Sequence, residues 1–248
     1  MIYDLQKASI LKRISAWLLD FILICILATG FGALLSIIVK FDDDYEQIVA
    51  YEKRYEELGI ESIAISQEEA DLLTGEAKVY YEETTGEVRR LVSICVNKAF
   101  IMISLGLFFA YLITEFVIPL CLKNGQTVGK KIFSLGVMQI SGIKLKSISL
   151  FVRSMLGKYA IETMVPLSIL LIFFFIRPEG LLFILLVTLG IFQIVLFFAT
   201  KTRSFIHDAL ASSVTVDMQS QMIFDTAEEM IAYKEEVSKK EAEKAEYK

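Results

Sequence analysis

Two carboxylates stand where an apolar chain tolerates charge least. Asp20 interrupts an apolar run from Ile14 to Val39, and Glu115 interrupts another from Ala99 to Leu122. An ionisable group at the centre of a bilayer costs about 2.5–3.5 kcal/mol on insertion scales and is a functional candidate by default. Arg13 precedes Asp20 by seven residues, which on a helix puts both on one face, about 10 Å apart along the axis. Glu115 comes eight residues before Lys123, so on a descending helix it reaches a depth similar to that of Asp20. Two carboxylates at one level repel if both ionise, so one holds a proton or a cation lies between them. Two readings follow. In one, Asp20 and Glu115 form an ion-binding or proton-relay site. In the other they are polar glue between helices, Asp20 with a basic partner and Glu115 protonated or hydrogen-bonded to Thr114 or Tyr111.

A second group of charges follows the last apolar run. Asp208 is nine residues past Ala199 and belongs at the membrane boundary, as does Arg13. The two are expected to pair as a charge network across the ends of the membrane domain, with Asp20 just above and within reach of the arginine. His207 titrates near neutrality and is either a pH-sensing residue or a hydrogen-bonding neighbour.

Composition excludes most other chemistry. The 248-residue chain is 55% hydrophobic with 22% charged residues, against about 45–50% apolar in an ordinary soluble domain, so apolar and charged segments must be segregated. A net charge of −5 argues against nucleic acid as a partner. Cys25, Cys95 and Cys121 are odd in number and widely spaced, which gives neither a disulfide framework nor a zinc site. The single histidine cannot build a metal cluster. No nucleophile–base pair is present, and the loop Thr127-Val128-Gly129-Lys130 lacks the spacing of a phosphate-binding loop. The expectation is a non-enzyme without cofactor or metal.

The elements that position these charges are membrane helices, each needing about 20 apolar residues. Four candidates are Ile14–Val39, Ala99–Leu122, Ala160–Ile176 and Leu181–Thr200, the last two joined by Arg177-Pro178-Glu179-Gly180. The first reads as a retained helix, because it is longer than the apolar region of a leader and carries an aspartate. Its row Ala28, Gly32, Ser36 suits close helix packing. The segment Lys40 to Arg90 holds fifteen acidic and six basic residues, whereas Lys123, Lys130, Lys131, Lys144, Lys146, Arg153 and Lys158 lie between the second and third spans. The positive-inside rule then places both termini in the cytoplasm and the acidic segment outside, in the plasma (cytoplasmic) membrane.

Outside the spans, Asp44 to Leu58 reads as a helix stopped by Gly59. Ser66-Gln67-Glu68-Glu69 reads as a capping box. Breaks are expected at Gly75 and Thr84-Thr85-Gly86, and the whole insertion reads as a solvated helical decoration. Residues 131–140 and 143–146 around Ser141-Gly142 predict a small β-hairpin. Ser147 to Tyr159, with Ile148, Phe151, Val152 and Met155 on one face and Arg153 and Lys158 elsewhere, predicts an interfacial helix. Gly129 reads as a tight exit from the second span. Lys130 and Lys131 read as lipid-phosphate contacts or, alternatively, a gate at a cytoplasmic entrance. Asp225 with Glu228 opens a solvated helical tail.

Three patches resemble the RDD family of membrane proteins. They are Arg13-x-x-Ala16-x-x-x-Asp20, then Gly125-Gln126-Thr127-Val128-Gly129-Lys130-Lys131, then His207-Asp208-Ala209-Leu210-Ala211-Ser212-Ser213-Val214. The arginine and two aspartates that name the family fall on Arg13, Asp20 and Asp208. The resemblance implies an integral membrane protein. Some members look like cation–proton antiporters and others like accessory domains.

The combined expectation is an all-α integral membrane protein: a four-helix transmembrane bundle with a small cytoplasmic β-hairpin, an interfacial helix and an extracytoplasmic helical insertion. Residues 1–40 carry the first span, 41–95 the insertion, 96–217 the rest of the membrane domain and 218–248 the tail. Functionally it is either a cation–proton antiporter or small-solute transporter using intramembrane carboxylates, with monovalent cations and protons as partners and acting as a homo-oligomer because four helices are few, or a non-transporting scaffold or accessory subunit in which the same charges are structural. The lipid bilayer is its partner in both.

Overall fold

An uninterrupted apolar sequence makes α1, Ile10–Val39. In the computed structural model, which describes residues 8–63, 65–122, 124–176, 181–200 and 202–246, the rest of the chain is mostly helical with one small sheet. Among the described residues, three helices are long and apolar enough to cross a membrane: α1, Gly75–Cys121 and Ser147–Phe173. A further apolar helix, Leu181–Ala199, has 19 residues. The turn expected at residues 177–180 lies outside the described residues. The chain divides into two units, Leu27–Leu107 and the remainder.

In the Leu27–Leu107 unit, Lys40 takes a left-handed conformation (φ 51°) and leads into α2, Phe41–Glu57. Gly59 follows it with φ 73°, a backbone setting that glycine adopts without strain. The capping box forms: Ser66 accepts from the Glu69 amide and Glu69 accepts from the Ser66 amide, opening α3, Gln67–Leu72. The long helix α4, Gly75–Cys121, then runs through Thr84-Thr85-Gly86 without the expected break. Thr84 donates to the Tyr80 carbonyl at 2.7 Å and meets the Tyr55 hydroxyl at 2.8 Å. This side-chain anchoring, with Tyr55, Ile60, Ala70, Tyr81 and Val88 packed as a core, outweighs a glycine penalty of about 1 kcal/mol. The small-residue row receives α4 at Gly106, where an added Cβ would come within 2.9 Å of the Ala28 carbonyl oxygen.

The second unit is organised by prolines. Within α4, Leu112–Val117 winds as a π-helix immediately before Pro119. The helix α6 covers residues 147–176 and winds as a π-helix over Val152–Met164, immediately before Pro166. A helical proline donates no hydrogen bond and clashes with the carbonyl four residues earlier; here those carbonyls belong to Glu115 and Glu162. A widened turn relieves the clash. The wide turns also rotate Arg153, Lys158 and Glu162 inward, at 3%, 13% and 18% side-chain exposure. The expectation of an interfacial helix over Ser147 to Tyr159, with Arg153 and Lys158 elsewhere than on its apolar face, is thereby corrected: α6 is one continuous helix, Ile148 and Phe151 point outward, and the two basic residues point in.

The sheet is also different from the expected hairpin. Residues Val128–Ile132 form the short helix α5, capped by Thr127, so the strand β1 begins only at Leu135 and ends at Gln139. Its partner is β2, Ser213–Asp217, antiparallel in the register Leu135↔Asp217 to Gln139↔Ser213. The turn at Gly142 (φ 92°) does form, but Lys144 makes only an isolated bridge to Met138. Ser213-Val214-Thr215-Val216 wins the pairing because it buries Val214 and Val216 against Met138, which Lys144 and Lys146 cannot do. Helix α7, Leu181–Ala199, and the one-turn helix α8, Ile206–Leu210, lead into β2. The tail forms α9, Ala227–Glu246, one residue out of the expected register: Thr226, not Asp225, accepts from the Glu229 amide.

Two glycines set the closest approaches. Gly129 abuts α1, where a Cβ would stand 2.2 Å from the Ala16 carbonyl oxygen. It is therefore a packing residue inside α5, not an exit from the second span. Gly157 abuts α8, where a Cβ would stand 2.5 Å from the His207 Cβ and 2.6 Å from its Cα. Gly157→Ala should lower stability by about 1–3 kcal/mol, the usual cost of overpacking. Thermal unfolding in detergent checks this, and an unchanged midpoint would contradict the packing of α8 on α6.

Candidate functional site

The charges collect in two clusters within the second unit. The first centres on Asp208, which is 1% exposed. Arg153 donates to its Oδ1 from Nε at 3.0 Å and from Nη2 at 2.8 Å, and the Ser213 hydroxyl donates to the same oxygen at 3.0 Å. The other oxygen, Oδ2, has Arg13 Nη2 at 3.7 Å and His207 Nε2 at 3.5 Å, and no hydrogen bond. Arg13 is thus brought to Asp208 as expected, but as its longer-range partner. Its own hydrogen bond goes to the Arg203 carbonyl at 2.9 Å, and its guanidinium lies over the Phe197 ring at 5.4 Å, a cation–π contact. Burial pushes the Asp208 carboxyl upward, but Arg153, with His207 and Arg13, outweighs it and holds the group below the usual carboxylate range.

His207 lies between two carboxylates. Its Nδ1 is 2.9 and 2.7 Å from the Glu162 oxygens, and its amide donates to Glu162 at 3.0 Å. Phe205 stacks on the ring at 5.9 Å. Burial lowers its proton affinity, Asp208 and Glu162 oppose that, and Arg153 adds to the lowering; the net direction is down from 6.5.

The second cluster separates the two carboxylates that were expected to share a site. Asp20 accepts from the Thr127 hydroxyl and, at 2.8 Å, from the Gly129 amide. It therefore fastens α1 to the start of α5, and Arg13 does not reach it with a hydrogen bond or ion pair. Glu115 instead receives Lys158 and stands 3.8 Å from Lys130 Nζ. Thr114 and Tyr111, its expected partners, bond to the Ala110 carbonyl and to Thr163. Lys130 is 7% exposed, and its Nζ makes no hydrogen bond. That corrects its reading as a lipid-phosphate contact: Lys131 is exposed and Lys130 is turned inward.

Among the described residues the buried and half-buried charges that meet in the two clusters are four of each sign, with Arg203 within electrostatic reach of Arg13 besides. Arg13, Lys130, Arg153 and Lys158 face Asp20, Glu115, Glu162 and Asp208, with His207 between them. Arg153 lies within electrostatic reach of both clusters. Among the described residues no group of three or more His, Cys, Asp or Glu could hold a metal ion. Arg153, Lys158, Glu162 and Thr127 escaped the sequence reading as site residues. The available signal was the spacing Glu115-x-x-x-Pro119 and Glu162-x-x-x-Pro166, which marks two distorted turns at ionisable residues.

A family model described as the RDD family matches residues 7–212. The chain belongs to the RDD family. No curated protein and no solved structure matches it. In this RDD protein the three residues that carried the resemblance have distinct places: Asp208 at the centre of one cluster, Arg13 beside it, and Asp20 in the other. With its long apolar helices, the RDD chain is a membrane protein.

Lys130 provides a test of this geometry. Burial pushes its pKa down to about 7, with the Lys158 ammonium adding to the effect and the Glu115 carboxylate opposing it. The unfolded chain then binds more protons than the folded one between about pH 7 and 10.5, so this group makes stability rise with pH across that window. The gain in thermal midpoint from pH 7 to pH 9 should therefore be smaller in Lys130→Met than in wild type. An equal gain would contradict a buried, destabilised ammonium.

Proposed function

We propose that this RDD protein is a multi-pass transporter of the cytoplasmic membrane that exchanges monovalent cations for protons. Four helices (α1, α4, α6 and α7) would span the bilayer with both termini in the cytoplasm, and a homo-oligomer would supply a large enough membrane body. The observation that carries this reading is the buried ammonium of Lys130, unpartnered by any hydrogen bond and 3.8 Å from Glu115. A buried charge left incompletely satisfied is costly, and a change of its state during function accounts for it. Glu115 is the carboxylate whose neutralisation by protein cations is replaceable by an external one. Asp20, held by Thr127 and Gly129, is a positioning residue.

A second reading is a non-transporting scaffold or accessory subunit. It is favoured by the balance of four carboxylates against four cationic side chains, which is what purely structural polar glue requires.

Proteoliposomes with a trapped pH dye separate the two. An imposed sodium, lithium or potassium gradient should drive proton movement in wild type, and a folded Glu115→Gln protein should lose at least about tenfold in rate, the effect of about 1.4 kcal/mol on the barrier. Folded, inserted wild type without cation-dependent flux would leave the scaffold reading.

A further inference from the structure

The imidazole of His207 is held in a setting that a neutral ring cannot fully satisfy. Nδ1 faces both oxygens of Glu162, at 2.7 and 2.9 Å, while Nε2 faces Asp208 Oδ2 at 3.5 Å. Both ring nitrogens therefore lie near carboxylate acceptors, Nδ1 within hydrogen-bond distance and Nε2 just beyond it. A neutral imidazole carries one N–H and can serve one of them. The distances select Glu162 as the acceptor of that proton, which leaves the bare Nε2 opposite Asp208 Oδ2. That oxygen is the buried carboxylate atom without a hydrogen bond. An unpaired acceptor at 1% exposure is costly, and a proton on Nε2 would fill it.

We propose that His207 is a proton-binding site linking Glu162 to Asp208, in which Nδ1–H stays on Glu162 and an incoming proton adds to Nε2 and hydrogen-bonds Asp208 Oδ2. The proton comes from water, it is drawn by the Glu162 and Asp208 carboxylates on either side of the ring, and its release returns the same neutral ring. The proposal rests on the transport reading for its use, since it assigns the proton of the exchange to a group separate from Glu115. It rests on geometry alone for its existence.

The groups around the ring fix the balance. Glu162 and Arg153 face it from α6, Arg13 approaches from α1, Asp208 lies on its own helix, and Gln193 of α7 hydrogen-bonds Glu162. The two carboxylates favour uptake. Burial and the Arg153 guanidinium oppose it, and the net effect lowers the proton affinity of the ring. Gly157 presses α6 onto His207 Cβ and Cα, so the ring has little freedom to turn away from either carboxylate.

The chain contains one histidine, so every imidazole signal from the full-length protein carrying a non-histidine tag belongs to this site. With ¹⁵N-histidine labelling in detergent or nanodiscs, the expected spectrum near neutrality shows a proton on Nδ1 and none on Nε2. On acidification Nε2 gains the proton, with a midpoint below 6.5. Glu162→Gln, which removes one favourable charge, should lower that midpoint by about one pH unit. A neutral ring protonated on Nε2, or a midpoint that Glu162→Gln leaves unchanged, would overturn the proposal. Should Glu162→Gln fail to fold, the wild-type tautomer decides alone. The expected tautomer in a protein without cation-driven flux would retain the proton site and remove the transport reading. Flux with the opposite tautomer would do the reverse.

Discussion

A carboxylate shut away from water must be neutralised where it stands, and Asp208 is the point at which that constraint shapes the most chain. Its oxygens draw on Arg153 from α6, Arg13 from α1, His207 from its own helix and Ser213 from the start of β2. Satisfying one side chain thus ties the end of the last apolar segment to the first helix, the third helix and the sheet. Buried ion pairs of this kind add little net stability over an apolar replacement, yet breaking one partner is severe. Their value here is registry: they specify which helix turn meets which.

Asp20 acts in the same way at a second junction. Its two donors belong to the Thr127 cap and to the first turn of α5, and Gly129 lets that turn touch the α1 backbone. The prolines then explain how α4 and α6 carry their ionisable groups inward. Pro119 and Pro166 each strip a hydrogen bond from a glutamate carbonyl, and each is preceded by a widened helix. A regular α-helix would have spread Arg153, Lys158 and Glu162 over more of its surface.

Much of this was legible in the residues. The apolar runs, the Ser66 capping box, the Gly59 stop and the approach of Arg13 to Asp208 follow from local pattern or from the RDD resemblance. The β1–β2 pairing was not, because 73 residues separate Gln139 from Ser213, and a nearby Ser141-Gly142 turn offered a competing local partner. Arg153 and Lys158 misled for a related reason. A 3.6-residue period separates the two by about 140° around the helix, and the π-helical register that gathers them inward precedes a proline thirteen residues beyond Arg153. Asp20 and Glu115 were matched by depth along two helices. Depth says nothing about rotation, and rotation sent each to different donors.

The central claim is that the Arg153–Asp208 pair is the constraint on which this arrangement depends, and a double-mutant cycle on unfolding free energy measures it directly. Arg153→Met and Asp208→Leu should each destabilise by about 3–5 kcal/mol, because each leaves an unpaired buried charge. The double variant should lose much less than the two together, with a coupling of about 2 kcal/mol or more. Additive losses would mean that the two side chains do not depend on each other, and would contradict the account.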